Sequence, residues 1–141
     1  MDMSVGKKGK VLVYLEYDEN GSYNLHIQSD GKLYANFDMS RWFGEFSSVK
    51  FVTGLELIDT TYMVKADSMF SGFGSYGDNF NASITIRNPN VMSYNSMFYY
   101  SSINENSQLV VNYTSETSDL VDEMIATKSS NANVIKGNLV R

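Results

Sequence analysis

Apolar and polar positions alternate with a period of two along VLVYLEYDENGSYNLHI, residues 11–27. Val11, Val13, Leu15 and Tyr17 share one side, and Leu12, Tyr14 and Glu16 the other. Such alternation marks a strand. Tyr23, Leu25 and Ile27 resume it after Asn20-Gly21, a pair suited to the positive-φ positions of a tight turn. The pattern predicts a β-hairpin, and its first strand, apolar on both sides, is expected to be covered on both faces. A second turn signal, SDGK at 29–32, leads into LYANFDM.

Beyond residue 40 a longer period takes over. Four bulky doublets, Trp42-Phe43, Met69-Phe70, Met97-Phe98 and Met124-Ile125, recur at intervals of 27, 28 and 27 residues. A short β-branched or alternating run precedes each of the last three: LELI at 55–58, SITI at 83–86 and LVVNY at 109–113. VKFV at 49–52 is an extra strand or the approach to the first. The polar residues between run and doublet suit a turn entering one turn of helix, since Asp, Ser and Asn cap free N–H groups. In the last unit TSDLVDEMIAT predicts a longer helix. It places Leu120 with Met124 and Val121 with Ile125 on one face, with Asp119, Asp122 and Glu123 early.

A period in this range is the sequence sign of a solenoid, in which no unit buries its own apolar face and neighbouring units must stack. The doublets are therefore expected to be core. Met fills irregular gaps, Phe supplies area, and neither offers an acid, a base or a hard ligand. The expected architecture is mainly β with short helices. It is a leucine-rich-repeat-like solenoid of one domain, 1–141, with an N-terminal hairpin cap (1–40), irregular repeat units (41–113) and a helical closing unit (114–141).

The 141 residues include 43% hydrophobic and 13% aromatic side chains, enough for an ordered core without a staple. A net charge of −5 argues against nucleic acid, which requires clustered Lys and Arg. Lys7, Lys8 and Lys10 form the one basic cluster, read as a solvated end or an attachment arm. With no cysteine there are no disulfides, thiol chemistry or cysteine-ligated zinc. No apolar run reaches the ~20 residues of a membrane span, and the opening residues lack the order of an export signal.

Candidate chemistry is sparse. His26 is the single histidine and has no Ser or Cys partner constellation. Asp18-Glu19-Asn20-Gly21-Ser22 lacks the later Glu of a calcium loop and reads as a turn. Asp78-Asn79-Phe80-Asn81 reads as a polar loop between units. Gly72, Gly74 and Gly77 form no phosphate fingerprint. Asn20, Asn81 and Asn112 sit in glycosylation sequons. No cofactor, metal or catalytic residue is expected. Tyr94, Tyr99 and Tyr100 cannot all point inward beside Met97 and Phe98, and are candidate interaction residues.

The stretch GLELIDTTYMVKADSMFSGF, residues 54–73, resembles the bacterial surface-protein repeat of the BspA-like leucine-rich class. Gly54, Leu55, Glu56, Asp59, Thr60, Met69, Phe70 and Gly72 match its motif, as do Asn90, Val91, Met97 and Phe98 in the next unit. The cysteine that usually follows the Met-Phe turn is replaced by Phe73 and Ser101. The resemblance implies a non-enzymatic display or recognition module of bacterial surface proteins or phage structural proteins. The expected partners are other structural proteins of the same assembly, a host-surface protein or a glycan, and further copies of the chain in a homo-oligomer. The expected location is a virion surface, toward which the opening Met1 without an export signal tilts the reading. The alternative is a bacterial cell surface, and an enzyme acting on carbohydrate would require two opposed carboxylates in a cleft.

Overall fold

The computed structural model describes residues 11–44, 46–76, 81–104 and 106–141. The chain is a mainly β solenoid of about four turns with one short helix. Its strands are β1 (Val11–Tyr17), β2 (Tyr23–Ser29), β3 (Leu33–Tyr34), β4 (Val49–Thr53), β5 (Ile58–Asp59), β6 (Asn81–Ile86), β7 (Gln108–Tyr113) and β8 (Val134–Leu139). The helix α1 spans Ser118–Ile125. Strand β1 pairs antiparallel with β2, and every other strand pairing is parallel: β2 with β4, β3 with β5, β6 with β7, and β7 with β8. Parallel pairing of successive coils is what a chain advancing one strand width per turn must produce.

Several expectations change. The segment at 55–58 is a 3-10 turn over Leu55–Leu57 followed by the two residues of β5, while the VKFV segment is the true strand β4. Gly54 explains the switch. Its φ is 89°, and a Cβ there would lie 1.9 Å from the Ile27 carbonyl oxygen. The chain touches the coil below and bends instead of extending. The hairpin also differs, since its loop is the five residues 18–22, with Asp18 Oδ1 accepting N–H bonds from Asn20 and Ser22. The outer side of β1 is not covered: Leu12 is 52% and Tyr14 37% exposed.

The expected helical turn before each doublet is instead a run of β-turns. From 66 to 75 the backbone closes one turn every second residue. Met69 N–H donates to Ala66, Ser71 to Ser68, Phe73 to Phe70 and Ser75 to Gly72. The N–H groups in between cross to the next coil, from Ala66 to Ser93, Ser68 to Asn95, Phe70 to Met97 and Gly72 to Tyr99. Every donor is used, as a buried backbone requires. In most of these turns and their counterparts on neighbouring coils the third residue has positive φ, the type II signature: Arg41 (64°), Ser68 (54°), Gly72 (77°), Gly74 (64°), Ser96 (52°) and Tyr100 (55°), while Phe43, Phe70 and Phe98 hold that place in the turns between.

This backbone holds the doublets in line. Phe43, Met69, Phe70, Met97, Phe98 and Met124 are buried, and Trp42 and Ile125 are half-buried against the same core. The Phe43 and Phe70 rings stack at 5.1 Å and the Phe70 and Phe98 rings at 5.7 Å. On the sheet side Ala82, Leu109 and Val134 form another inward row.

The last coil replaces turns by α1, whose Val121 and Met124 are buried and whose Leu120 and Ile125 are half-buried. A helix keeps its carbonyls for itself, so side chains take over as acceptors. Phe98 N–H donates to Thr127 Oγ1 and Tyr100 N–H to Ser129 Oγ. Strand β8, absent from the expected closing unit, then completes the sheet beside β7.

Candidate functional site: a polar groove beside a tyrosine pair

Strands β3 and β5 are two residues each, and alternation decides what they expose. Leu33 and Ile58 point into the core, so their neighbours Tyr34 and Asp59 face outward side by side. Asp59 Oδ1 accepts the Thr61 N–H at 2.9 Å and its hydroxyl at 2.5 Å, and Lys32 Nζ lies 3.1 Å from Asp59 Oδ2. The same ammonium sits 5.0 Å from the Tyr34 ring centroid, and Tyr34 contacts Tyr62 at 5.3 Å. Tyr62 is 57% exposed, so this pair offers ring surface to solvent.

Next to Lys32 and Asp59 opens a groove of about 490 Å³, lined further by Glu56, Thr61, Thr85, Arg87 and Arg141. Thr60, one residue from the groove, is fully buried and acts as a clamp. Its hydroxyl donates to Thr85 C=O at 2.7 Å and accepts the Arg87 N–H at 2.8 Å, fixing the third coil against the second. Arg87 is half-buried and donates from its guanidinium to the Arg141 carbonyl at 2.8 Å. Among the described residues it has no Asp or Glu ion-pair partner.

Burial alone pushes the Asp59 carboxyl up, but the Thr61 hydrogen bonds and Lys32 outweigh it and hold the group below its usual range. Lys32 is raised, chiefly by its hydrogen bond to Asp59. The groove is therefore lined by an ion pair, Lys32-Asp59, beside the Thr61 and Thr85 side chains.

The three tyrosines expected at an interface do not act as one patch. Tyr94 is half-buried and donates its hydroxyl to Glu123. Tyr99 and Tyr100 are each 45% exposed and meet edge to face at 4.3 Å. His26 lies on the outer sheet face, stacked on Tyr14 at 4.8 Å, with Nδ1 2.9 Å from Thr53 Oγ1. Lys7, Lys8, Lys10, Gly77 and 78–80 lie outside the described residues. Among the described residues no group of three or more metal-ligating side chains gathers, and no helix is long and apolar enough to cross a membrane.

A second outward feature escaped the pattern reading. Phe37, Val64 and Met92 occupy matching positions on successive coils, because Val64 N–H donates to Phe37 and Met92 N–H to Val64, each at 2.8 Å. Phe37 is 60% and Met92 80% exposed. The repeat interval that aligns the buried doublets aligns this row too. Beside it run Asp38, Lys65 and Ser93, bridged in parallel, and Ser40, Asp67 and Asn95, linked through the Ser40 and Asp67 side chains.

No family model, curated protein or solved structure matches this chain.

Proposed function

We propose that the chain is a non-catalytic display and recognition module of the BspA-like leucine-rich kind, mounted on a larger assembly. The observation that carries this reading is the repetition of outward rows, coil after coil, on one aromatic stack. Phe37-Val64-Met92 are held in register by backbone bonds between coils, Ser40-Asp67-Asn95 by backbone-to-side-chain bonds, and Phe43, Phe70 and Phe98 by their stacking. A regular, rigid outer face suits binding by surface complementarity. Asp59, one of the two groove carboxylates, is also poorly suited to act as a general acid, because Thr61 and Lys32 hold its carboxyl below the usual range.

The assembly we favour is a phage particle, with a bacterial cell surface as the alternative, and both rest on the resemblance of residues 54–73 to the BspA-like repeat. Quantitative mass spectrometry of purified particles and of cell-wall fractions tests this. Copies of the chain in stoichiometric ratio to a capsid or tail protein support the first, and enrichment in the wall supports the second. Recovery only as free protein overturns both.

A further inference from the structure

We propose that the groove between Lys32 and Arg87 binds an acidic saccharide, a sugar carrying a carboxylate. This deepens the recognition reading and rests on it. Three features converge on that ligand class. The Tyr34 ring lies 5.0 Å from the lining Lys32 ammonium, and the Tyr34-Tyr62 pair offers exposed ring surface, the usual partner for the apolar face of a pyranose. The Thr61, Thr85, Asp59 and Glu56 side chains line the groove, a donor and acceptor set matched to ring hydroxyls. Arg87, which also lines the groove, half-buried and without an Asp or Glu partner among the described residues, provides a planar fork for one carboxylate.

The same features argue against other occupants. A polyanion such as nucleic acid meets Glu56, Asp59 and a net charge of −5. An apolar peptide finds only Leu57 and the buried Ile58 among the lining residues. The half-buried Arg87 guanidinium, which gives one N–H to the Arg141 main-chain oxygen and has no Asp or Glu partner among the described residues, suits a single negative group on an otherwise neutral, hydroxylated body.

Isothermal titration of the full chain with a glucuronate-containing oligosaccharide tests this. The neutral glucose counterpart, polyglutamate and inorganic phosphate are titrated in parallel. The expected result is saturable binding of the acidic saccharide, at least about tenfold tighter than the neutral one, with no comparable signal from polyglutamate or phosphate. Arg87→Gln and Tyr62→Ala should each weaken binding about tenfold or more. Arg87→Lys should recover part of the loss, because charge returns without the fork. Circular dichroism melting confirms that each variant folds. Equal affinity for the neutral sugar, for polyglutamate or for phosphate overturns the proposal. So does unchanged binding by Arg87→Gln and Tyr62→Ala. Absence of saccharide binding, with the chain still found on particles or cell walls, overturns this inference and leaves the display reading standing.

Discussion

Phe43 and Phe70 lie face to face, ring centroids 5.1 Å apart and planes 10° from parallel. Phe98 extends the stack on the other side of Phe70, at 5.7 Å and 11°. Phe73 closes its flank edge-on, at 77° to Phe70 and 76° to Phe43. Each ring of the stack comes from a different coil, so the interaction that fills the core also joins the coils. Phe70 is fully buried with partners on two sides, and truncating it opens a cavity between coils that the crossing backbone bonds prevent from collapsing.

Phe70→Ala should therefore cost about 3–5 kcal/mol, the range for removing a buried aromatic. Phe37→Ala, on the exposed row, should change stability by less than about 0.5 kcal/mol. Urea unfolding followed by circular dichroism checks both. Similar losses for the two variants would contradict the placement of the stack.

Backbone conformation supplies a second contrast. Ser68 and Ser96 hold the left-handed conformation at the third position of a turn, where an L side chain costs about 1–2 kcal/mol. Ser96→Gly should be neutral or raise stability by up to about 1 kcal/mol once the extra freedom of unfolded glycine is counted. Gly54→Ala should do the reverse and by more, because the new Cβ meets Ile27 backbone at 1.9 Å. Thermal melts of the two variants should move in opposite directions or, at the least, differ sharply in size.

Ser101, Ser102 and Ser107 are fully buried, and their hydroxyls have no hydrogen-bond partner among the described residues. Ser101 follows the third doublet where the second is followed by Phe73, and where the resembled repeat carries cysteine. A buried hydroxyl without a partner loses hydration for nothing in return, worth about 1–3 kcal/mol. Ser101→Ala should accordingly raise the urea midpoint. A clear destabilisation would show that this hydroxyl is engaged.

Acid should weaken the links between coils. Asp67 accepts the Ser93 hydroxyl, which chiefly holds its carboxyl below the usual range, and then the Asn95 N–H groups. Asp38 is lowered in the same direction by Ser40. A carboxyl depressed in the folded state stabilises above its unfolded pKa, and the contribution disappears as pH falls through the folded value. The melting temperature should hold near neutrality and decline below about pH 4. Asp67→Asn should melt lower at pH 7 and lose less on acidification. An acid limb as steep as that of the parent would rule out a stabilising role for Asp67.

The hydrophobic pattern revealed the coil length and most of the inward positions. Large apolar doublets at a near-constant interval must share one environment, and the strands β2, β6 and β7 alternate plainly. Three things were hidden, each for a physical reason. The type II turns depend on left-handed Arg41, Ser68, Ser96 and Tyr100, and none of these residue types announces positive φ as glycine does. The 3-10 turn at Leu55–Leu57 reads as a strand because its kink comes from contact with Ile27, 27 residues earlier. Strand β8, VIKGNL, has a glycine that weakens its signal. Yet Gly137 is required there, because a Cβ would come within 2.2 Å of Asn112 Oδ1, the acceptor for Asn138 N–H. The groove was hidden as well. Lys32, Asp59 and Arg87 lie on three coils and meet only once the winding brings them together.

The stack of rings drawn from separate coils carries the whole account, and nuclear Overhauser contacts among selectively labelled phenylalanine rings measure it directly. The structure predicts cross-peaks from the Phe70 ring to both Phe43 and Phe98, and from Phe73 to both Phe43 and Phe70. A folded chain in which Phe70 shows no contact with either Phe43 or Phe98 would contradict the solenoid and the display function proposed for it.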